Sequence, residues 1–260
     1  MGLRLRAFSC GFLTADRGLF LEGASGSVRV PVPAYLIEHP KGRVLFDTGL
    51  HPDVQRDPEA RLGGIARLFV PDFSPGEDAA ARLESLEIDP GRVDFLVNSH
   101  LHFDHTGGNV GIPNARLVIQ RREWEAGQDP DLRVRNTYDP RDYDLGHDLQ
   151  LVDGEHDLFG DGSIVCIPTP GHTPGHQSLR VRLADGEVLL CGDACYLEQT
   201  LTRMQLPPTV HDREQMLASL ERIASIGREG VRLFYGHDPD FWKKLPQAPD
   251  PISFSSLPTD

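Results

Sequence analysis

Apolar residues along the chain fall mostly into short runs bounded by Gly, Pro or Asp, a pattern that predicts strands joined by tight turns. The run Val30-Pro31-Val32-Pro33-Ala34-Tyr35-Leu36-Ile37 turns at His39-Pro40-Lys41-Gly42 into Val44-Leu45-Phe46, so a hairpin is expected over 28–47. A second hairpin runs from Ser178 to Leu183, turns at Asp185-Gly186 and continues through Val188-Leu189-Leu190. Both end in an acid beside a glycine, Asp47-Thr48-Gly49 and Gly192-Asp193, which hints at a duplicated architecture. Val93–Val97, Arg116–Ile119, Ser163–Ile167 and Val231–Tyr235 are further predicted strands.

Helical spacing is rarer. Ala79, Ala80, Leu83 and Leu86 predict a helix starting near Ser74-Pro75 and stopped by Pro90-Gly91. Another short helix is expected from Arg121 to Ala126. A long one should run from about Asp212, its cap, to Ile226, with Met216, Leu217, Leu220, Ile223 and Ala224 as its apolar face. Between them, Gly127 to Asp148 is polar, rich in aspartate and punctuated by Pro130 and Pro140, so it reads as a long loop serving as a lid or mobile segment. The tail beyond Leu245, with Pro246, Pro249, Pro251 and Pro258, is expected to lie against the surface or fray. No boundary separates two cores, so 1–260 reads as one α/β domain.

Composition narrows the partners. A content of 39% hydrophobic and 25% charged residues suits a soluble globular protein with a sizeable core. The net charge of −13 argues against nucleic acid and against anionic membrane surfaces, both of which call for clustered Lys and Arg. Cys10, Cys166, Cys191 and Cys195 have no framework spacing and read as reduced thiols of a cytoplasmic protein. Met1 to Phe8 alternates leucine and arginine without a signal-peptide core, Arg6 breaks the myristoylation pattern after Gly2, and no run reaches membrane-spanning length. A small-molecule substrate and a monomer or homodimer remain.

Candidate chemistry concentrates in Asn98-Ser99-His100-Leu101-His102-Phe103-Asp104-His105-Thr106-Gly107-Gly108-Asn109, where the strand Val93–Val97 ends. If the backbone stays extended, His100, His102 and Asp104 project to one side and His105 turns away. Thr106-Gly107-Gly108 would then reverse the chain through positive φ. Packing three imidazoles and a carboxylate so closely costs desolvation unless something pairs them, and the two directions point to two metal ions. Three more ligand-type residues stand at predicted strand ends: His172, Asp193 and His237. His176, four residues after His172, is a candidate supporting or structural residue. His39, His51, His147, His156 and His211 fall in turns or loops and are expected at the surface. Cys191 and Cys195, flanking Asp193, read as small buried residues rather than a thiolate site.

The His-x-His-x-Asp-His pattern with His172, Asp193 and His237 in order resembles the signature of the metallo-β-lactamase superfamily, over about 30 to 240. The resemblance implies an αββα sandwich, two mixed β-sheets face to face between helices. It implies His100, His102 and His172 on one metal, Asp104, His105 and His237 on the other, Asp193 bridging, and Asp47 fixing a metal-bound histidine. Imidazole and carboxylate without thiolate suit two divalent ions, zinc first, with cobalt, manganese or iron also compatible.

Within that superfamily, Ser99 to Asn109, Thr169-Pro170-Gly171-His172-Thr173-Pro174-Gly175-His176-Gln177-Ser178-Leu179 and Asp193-Ala194-Cys195-Tyr196 look like the N-acyl homoserine lactone lactonases. That group carries a tyrosine where Tyr196 stands. The expectation is a hydrolase in which a metal-bridging hydroxide opens the lactone ring, Tyr196 stabilises the oxyanion and Asp104 relays a proton. Ile65, Leu68, Phe69 and Phe73, with Phe103 beside the ligands, are the candidate wall for the acyl chain. A lactonase for another ring, a thioesterase on the same scaffold and a di-iron redox protein are the competing expectations.

Overall fold

The structure, a computed structural model, describes residues 2–257; Met1 and Pro258 of the two terminal expectations lie outside them. Two mixed sheets form the centre. The first has seven strands in the order β4 (Val70–Asp72), β1 (Arg4–Asp16), β2 (Ser27–His39), β3 (Gly42–Phe46), β5 (Phe95–Val97), β6 (Arg116–Gln120) and β7 (Leu149–Val152). The second has five, β12 (Arg232–Phe234), β11 (Glu187–Leu190), β10 (Gln177–Arg182), β9 (Ile164–Pro168) and β8 (His156–Asp157). Both predicted hairpins are present as β2–β3 and β10–β11, antiparallel, whereas β3, β5 and β6 run parallel to one another.

Alternation along the strands sorts side chains into layers. Tyr35, Ile37, Val44, Phe46, Val97 and Val118 face inward and meet Cys166, Leu179, Val181, Leu190 and Phe234 of the second sheet. Their neighbours Leu36, Leu45, Leu96 and Leu117 face the other way, onto Leu83 and Ala79 of a helix over Ala79–Glu84. On the far side Val165, Ile167 and Leu189 pack against Met216, Leu220 and Ile223 of the helix over Arg213–Arg228. The order is therefore helix, sheet, sheet, helix, as expected from the resemblance. Each fully buried leucine contributes about 1.5–3 kcal/mol, so three stacked apolar layers supply the main driving force.

Several elements differ from expectation. The 13-residue strand β1 had no counterpart among the predicted strands, because a break between Ser9 and Phe12 shifts its register and interrupts the alternation. The helix carrying Leu83 starts at Ala79 behind the cap Asp78, four residues later than Ser74-Pro75 suggested. Leu217 is exposed rather than on the buried face of the long helix. The supposed loop after Gly127 holds two short helices, Pro130–Arg135 and Pro140–Tyr143, each with Pro at its first position and an Asp cap, Asp129 or Asp139. Those Asp-Pro pairs are helix starts, not only breaks. The tail follows the first of its two expected courses within the described residues and lies against β1: Ile252 N donates to Leu5 O at 2.7 Å and Ala248 N to Ala7 O at 2.8 Å.

Candidate dinuclear metal centre

Strand β5 ends at Val97, the chain bends at Ser99 and Leu101, and His102 caps a one-turn helix over Phe103–Thr106. Asp104 and His105 therefore project from a helix, correcting the expectation of a continuous extended run. The reversal also needs no positive φ at Gly107 or Gly108. What those glycines provide is closeness: a Cβ on Gly107 would lie 2.4 Å from His51 N, and one on Gly108 2.3 Å from Thr48 O. The segment is pinned from outside by Asn109, whose amide donates to Asn98 Oδ1 at 2.9 Å and accepts from Thr48 Oγ1 at 2.8 Å.

The other three side chains arrive from the second sheet. His172 follows β9, Asp193 sits in the short turn Gly192–Ala194 after β11, and His237 follows β12. His100 Nε2 and His172 Nε2 lie 2.9 and 3.0 Å from His102 Nδ1, so three ring nitrogens converge on one point. Asp193 Oδ2 stands 3.7 Å from His100 Nε2 and 3.4 Å from His172 Nε2. Its Oδ1 faces the opposite way, 3.2 Å from His105 Nε2 and 3.1 Å from His237 Nε2. Asp104 Oδ2 completes that side, 3.6 Å from His237 Nε2. The seven residues thus form two groups able to hold a metal, His100/His102/His172/Asp193 and Asp104/His105/His237.

Outer hydrogen bonds fix which nitrogen faces inward. His105 Nδ1 donates to Asp47 Oδ2 at 2.8 Å, His237 Nδ1 to Pro31 O at 2.8 Å and His102 Nε2 to Asn136 O at 2.8 Å. Ser99 Oγ donates to Asp47 Oδ2 at 2.8 Å and lies 2.9 Å from His100 Nδ1. With its outer nitrogen engaged, each ring presents the inner one as a lone pair. Lone pairs that meet at about 3 Å repel unless a proton or cation lies between them. Among the described residues, His105 Nε2 and Asp193 Oδ1 are buried and make no hydrogen bond. Orphaned inner atoms in an N/O donor set fit divalent metal ions.

Asp47 does this from a left-handed backbone with φ of 57°, strained for most residues and tolerated best by Gly, Asn and Asp. His176 is not among the inward-facing rings; its Nε2 accepts from Asp193 N at 3.0 Å and so positions the backbone that carries the shared carboxylate. Cys191 and Cys195 are free, buried and pushed up by that burial, inert packing residues as expected.

Titration differs between the groups. Burial lowers His100 and His172 well below the ordinary imidazole value and lowers His102 as well. Burial also opposes charge on His105 and His237, but Asp193 and Asp104, joined at His105 by Asp47, outweigh it and raise both. Tyr196 is raised well above the usual phenol range, first by burial and then by Asp193 and Asp104.

A cavity of about 400 Å³ opens over the cluster. Its apolar wall includes Ile65, Leu68, Phe69 and Phe103 as anticipated, and Tyr196, Asp104, His172, Asp193 and His237 lie at its base. Phe73 does not reach it. Its ring fills the space left by the missing side chain of Gly11, at the irregularity in β1, where an added Cβ would stand 2.8 Å away. Phe20 takes the wall position instead, edge-on to Phe69 at 5.9 Å and to Tyr196 at 5.6 Å. Asn136, Thr137 and His211 form a polar side, His211 Nδ1 lying 3.1 Å from Asn136 Oδ1, so His211 is not a plain surface residue. Periodicity carries no signal for Phe20 or Asn136, which come to the site only through tertiary folding.

Comparison with known proteins agrees with this fold. Residues 28–237 match the metallo-beta-lactamase superfamily model. The N-acyl homoserine lactonase AttM of Azorhizobium caulinodans is 36% identical over 235 residues, covering 88% of this chain and 89% of that protein. The N-acyl homoserine lactonase AiiA of Bacillus thuringiensis subsp. kurstaki is 29% identical, covering 81% and 82%. An N-acyl homoserine lactone hydrolase solved with the product N-hexanoyl-L-homoserine at its catalytic metal centre superposes with a TM-score of 0.86 at 26% identity, covering 97% of this chain and 100% of that one. With this fold, this order of histidines and aspartates and a family match over most of its length, the chain belongs to the metallo-β-lactamase superfamily.

Proposed function

We propose that this chain is a dinuclear metal-dependent hydrolase that opens the lactone ring of N-acyl homoserine lactones, with residues 1–260 working as one domain. The observation that carries the reading is Asp193, whose two carboxylate oxygens face two separate groups of ring nitrogens under a partly apolar cavity. In this reading His100, His102 and His172 hold one ion, Asp104, His105 and His237 the other, and Asp193 is shared. Zinc suits the donor set best, with cobalt, manganese or iron as substitutes. When bound, two such ions supply an activated water and polarise the ester carbonyl at neutral pH.

The chain's own residues do the rest. Tyr196, held protonated by burial and by its acidic neighbours, donates its hydroxyl hydrogen to the lactone carbonyl oxygen as charge develops there. Asp104, at the cavity base, takes the proton that the attacking water loses and passes it to the ring oxygen as the ester bond breaks. Phe20, Ile65, Leu68, Phe69 and Phe103 shield the acyl chain from water. Among the described residues no helix is long and apolar enough to cross a membrane, and all four thiols are free. Free thiols suit the cytoplasm, and the reading is of a monomer or homodimer working there on a diffusible small molecule; the charge of −13 fits neither nucleic acid nor anionic membrane as partner.

The test is pH-stat hydrolysis by metal-analysed protein of acyl homoserine lactones, simple lactones and glutathione thioesters side by side. Acyl homoserine lactones should be turned over fastest. Faster cleavage of thioesters, or acid release from none of the three, would refute the assignment.

A further inference from the structure

Glu123 stands on the first turn of the helix over Arg121–Gln128 and is fully buried. Among the described residues it has no cationic partner, and its carboxylate is satisfied entirely by donors of other kinds. Oε1 accepts from Leu101 N at 3.1 Å and from the Tyr138 hydroxyl at 2.6 Å, and Oε2 accepts from Gly175 N at 2.7 Å. Leu101 N lies between His100 and His102 in the chain, and Gly175 lies three residues after His172. Tyr138 packs its ring on His102, with centroids 5.6 Å apart. The second segment is pressed directly onto the helix, since a Cβ on Gly175 would stand 2.3 Å from Glu123 N.

One carboxylate therefore grips both backbone segments that deliver the three-imidazole group. The partners that orient His105 and His237 lie elsewhere, at Asp47 and Pro31. Burying a carboxylate without a countercharge is costly, and only a group that accepts from every direction suits three donors. We infer that Glu123 is a positioning residue that sets the spacing of His100, His102 and His172, and thereby the metal affinity of that group and not of the other. The inference rests on the dinuclear reading above. It acts through backbone position, so its effect should be confined to one ion.

The experiment is a competition titration of zinc and of cobalt into full-length protein, with the cobalt visible spectrum recorded, for wild type, Glu123→Gln, Tyr138→Phe and a control, Leu83→Ala. Glutamine must turn its amide toward at least one N–H or hydroxyl, so Glu123→Gln should weaken one ion by about 10–100-fold and leave the other unchanged. Its cobalt difference spectrum should match that of His172→Ala and not that of His237→Ala. Tyr138→Phe should weaken the same ion by a smaller factor, and it decides the matter if Glu123→Gln does not fold. Leu83→Ala, in the outer core, should lower the melting temperature without changing either affinity. Equal weakening of both ions, wild-type binding in both variants, or an affinity loss in Leu83→Ala matching that of Glu123→Gln would overturn the inference. A wild type that binds fewer than two ions would instead overturn the dinuclear reading itself.

Discussion

The two groups of ligand-type side chains share Asp193 yet are built differently. One is three imidazoles meeting at about 3 Å, neutral, with outer contacts to Ser99 Oγ, to the carbonyl of Asn136 and to the Tyr196 hydroxyl. The other places two imidazoles among Asp193, Asp104 and Asp47, whose negative charge outweighs burial and raises both. The first group must be held together against lone-pair repulsion, a task for backbone scaffolding. The second is drawn together by opposite charge, and a metal ion there takes the place of protons. Sheet origin does not explain the difference, since each group combines residues from the motif after β5 with one from the second sheet. Local carboxylate density does.

The largest test removes what the groups share. Asp193→Ala should cost both ions and lower turnover by several kcal/mol of barrier, roughly 10³-fold or more, checked by metal analysis and pH-stat rates. Retention of both ions would show that the groups are independent. If the phenol serves the reacting oxygen as proposed, Tyr196→Phe should lower kcat by about 10²-fold while both ions remain bound, its contact with His172 Nδ1 being a long 3.4 Å. An unchanged rate would take Tyr196 out of the chemistry.

Asp47→Ala should weaken the ion on the His105 side, whose ring it touches, by about 10–100-fold, and the other by a smaller factor, since it reaches His100 only through Ser99 Oγ. Equal loss at both would contradict the asymmetry. The pH dependence is subtler. His105 and His237 are raised, so on acidification protons return to them at higher pH than to His100, His102 and His172, which are lowered. Apparent affinity on the carboxylate-rich side should begin to fall first as pH drops, read from cobalt titrations at successive pH values. Release from the three-imidazole side first would reverse the comparison. The smallest effect belongs to the wall: Leu68, 58% exposed, should on change to alanine raise KM for long acyl chains only about two- to five-fold and leave short chains unaffected.

Much of this molecule was legible before its coordinates. The His-x-His-x-Asp-His run and the three strand-end residues stood out because ligand-type side chains are rare at the ends of apolar strands, and alternation exposed both hairpins. The layered sandwich came from the family resemblance, and the packing of Leu36, Leu45, Leu96 and Leu117 behind the first sheet agrees with it. Other parts left no local trace. Glu123 looks like any surface glutamate on a short helix until Leu101 and Gly175 are folded onto it. Phe73 and Phe20 exchange roles because a break in β1 at Gly11 redirects one of them, and hydrophobicity alone does not distinguish them. Pro130 and Pro140 resemble breaks in the sequence, although the aspartate before each makes it a helix start.

The central claim, that Asp193 is shared by two ions which together open a cyclic ester, is tested most directly by titrating zinc into metal-free protein while following acid release from an N-acyl homoserine lactone. The account predicts negligible release with no metal, a small rate up to the first equivalent and a steep rise that saturates at two ions per chain. Full activity at one equivalent, or in the metal-free protein, would contradict it.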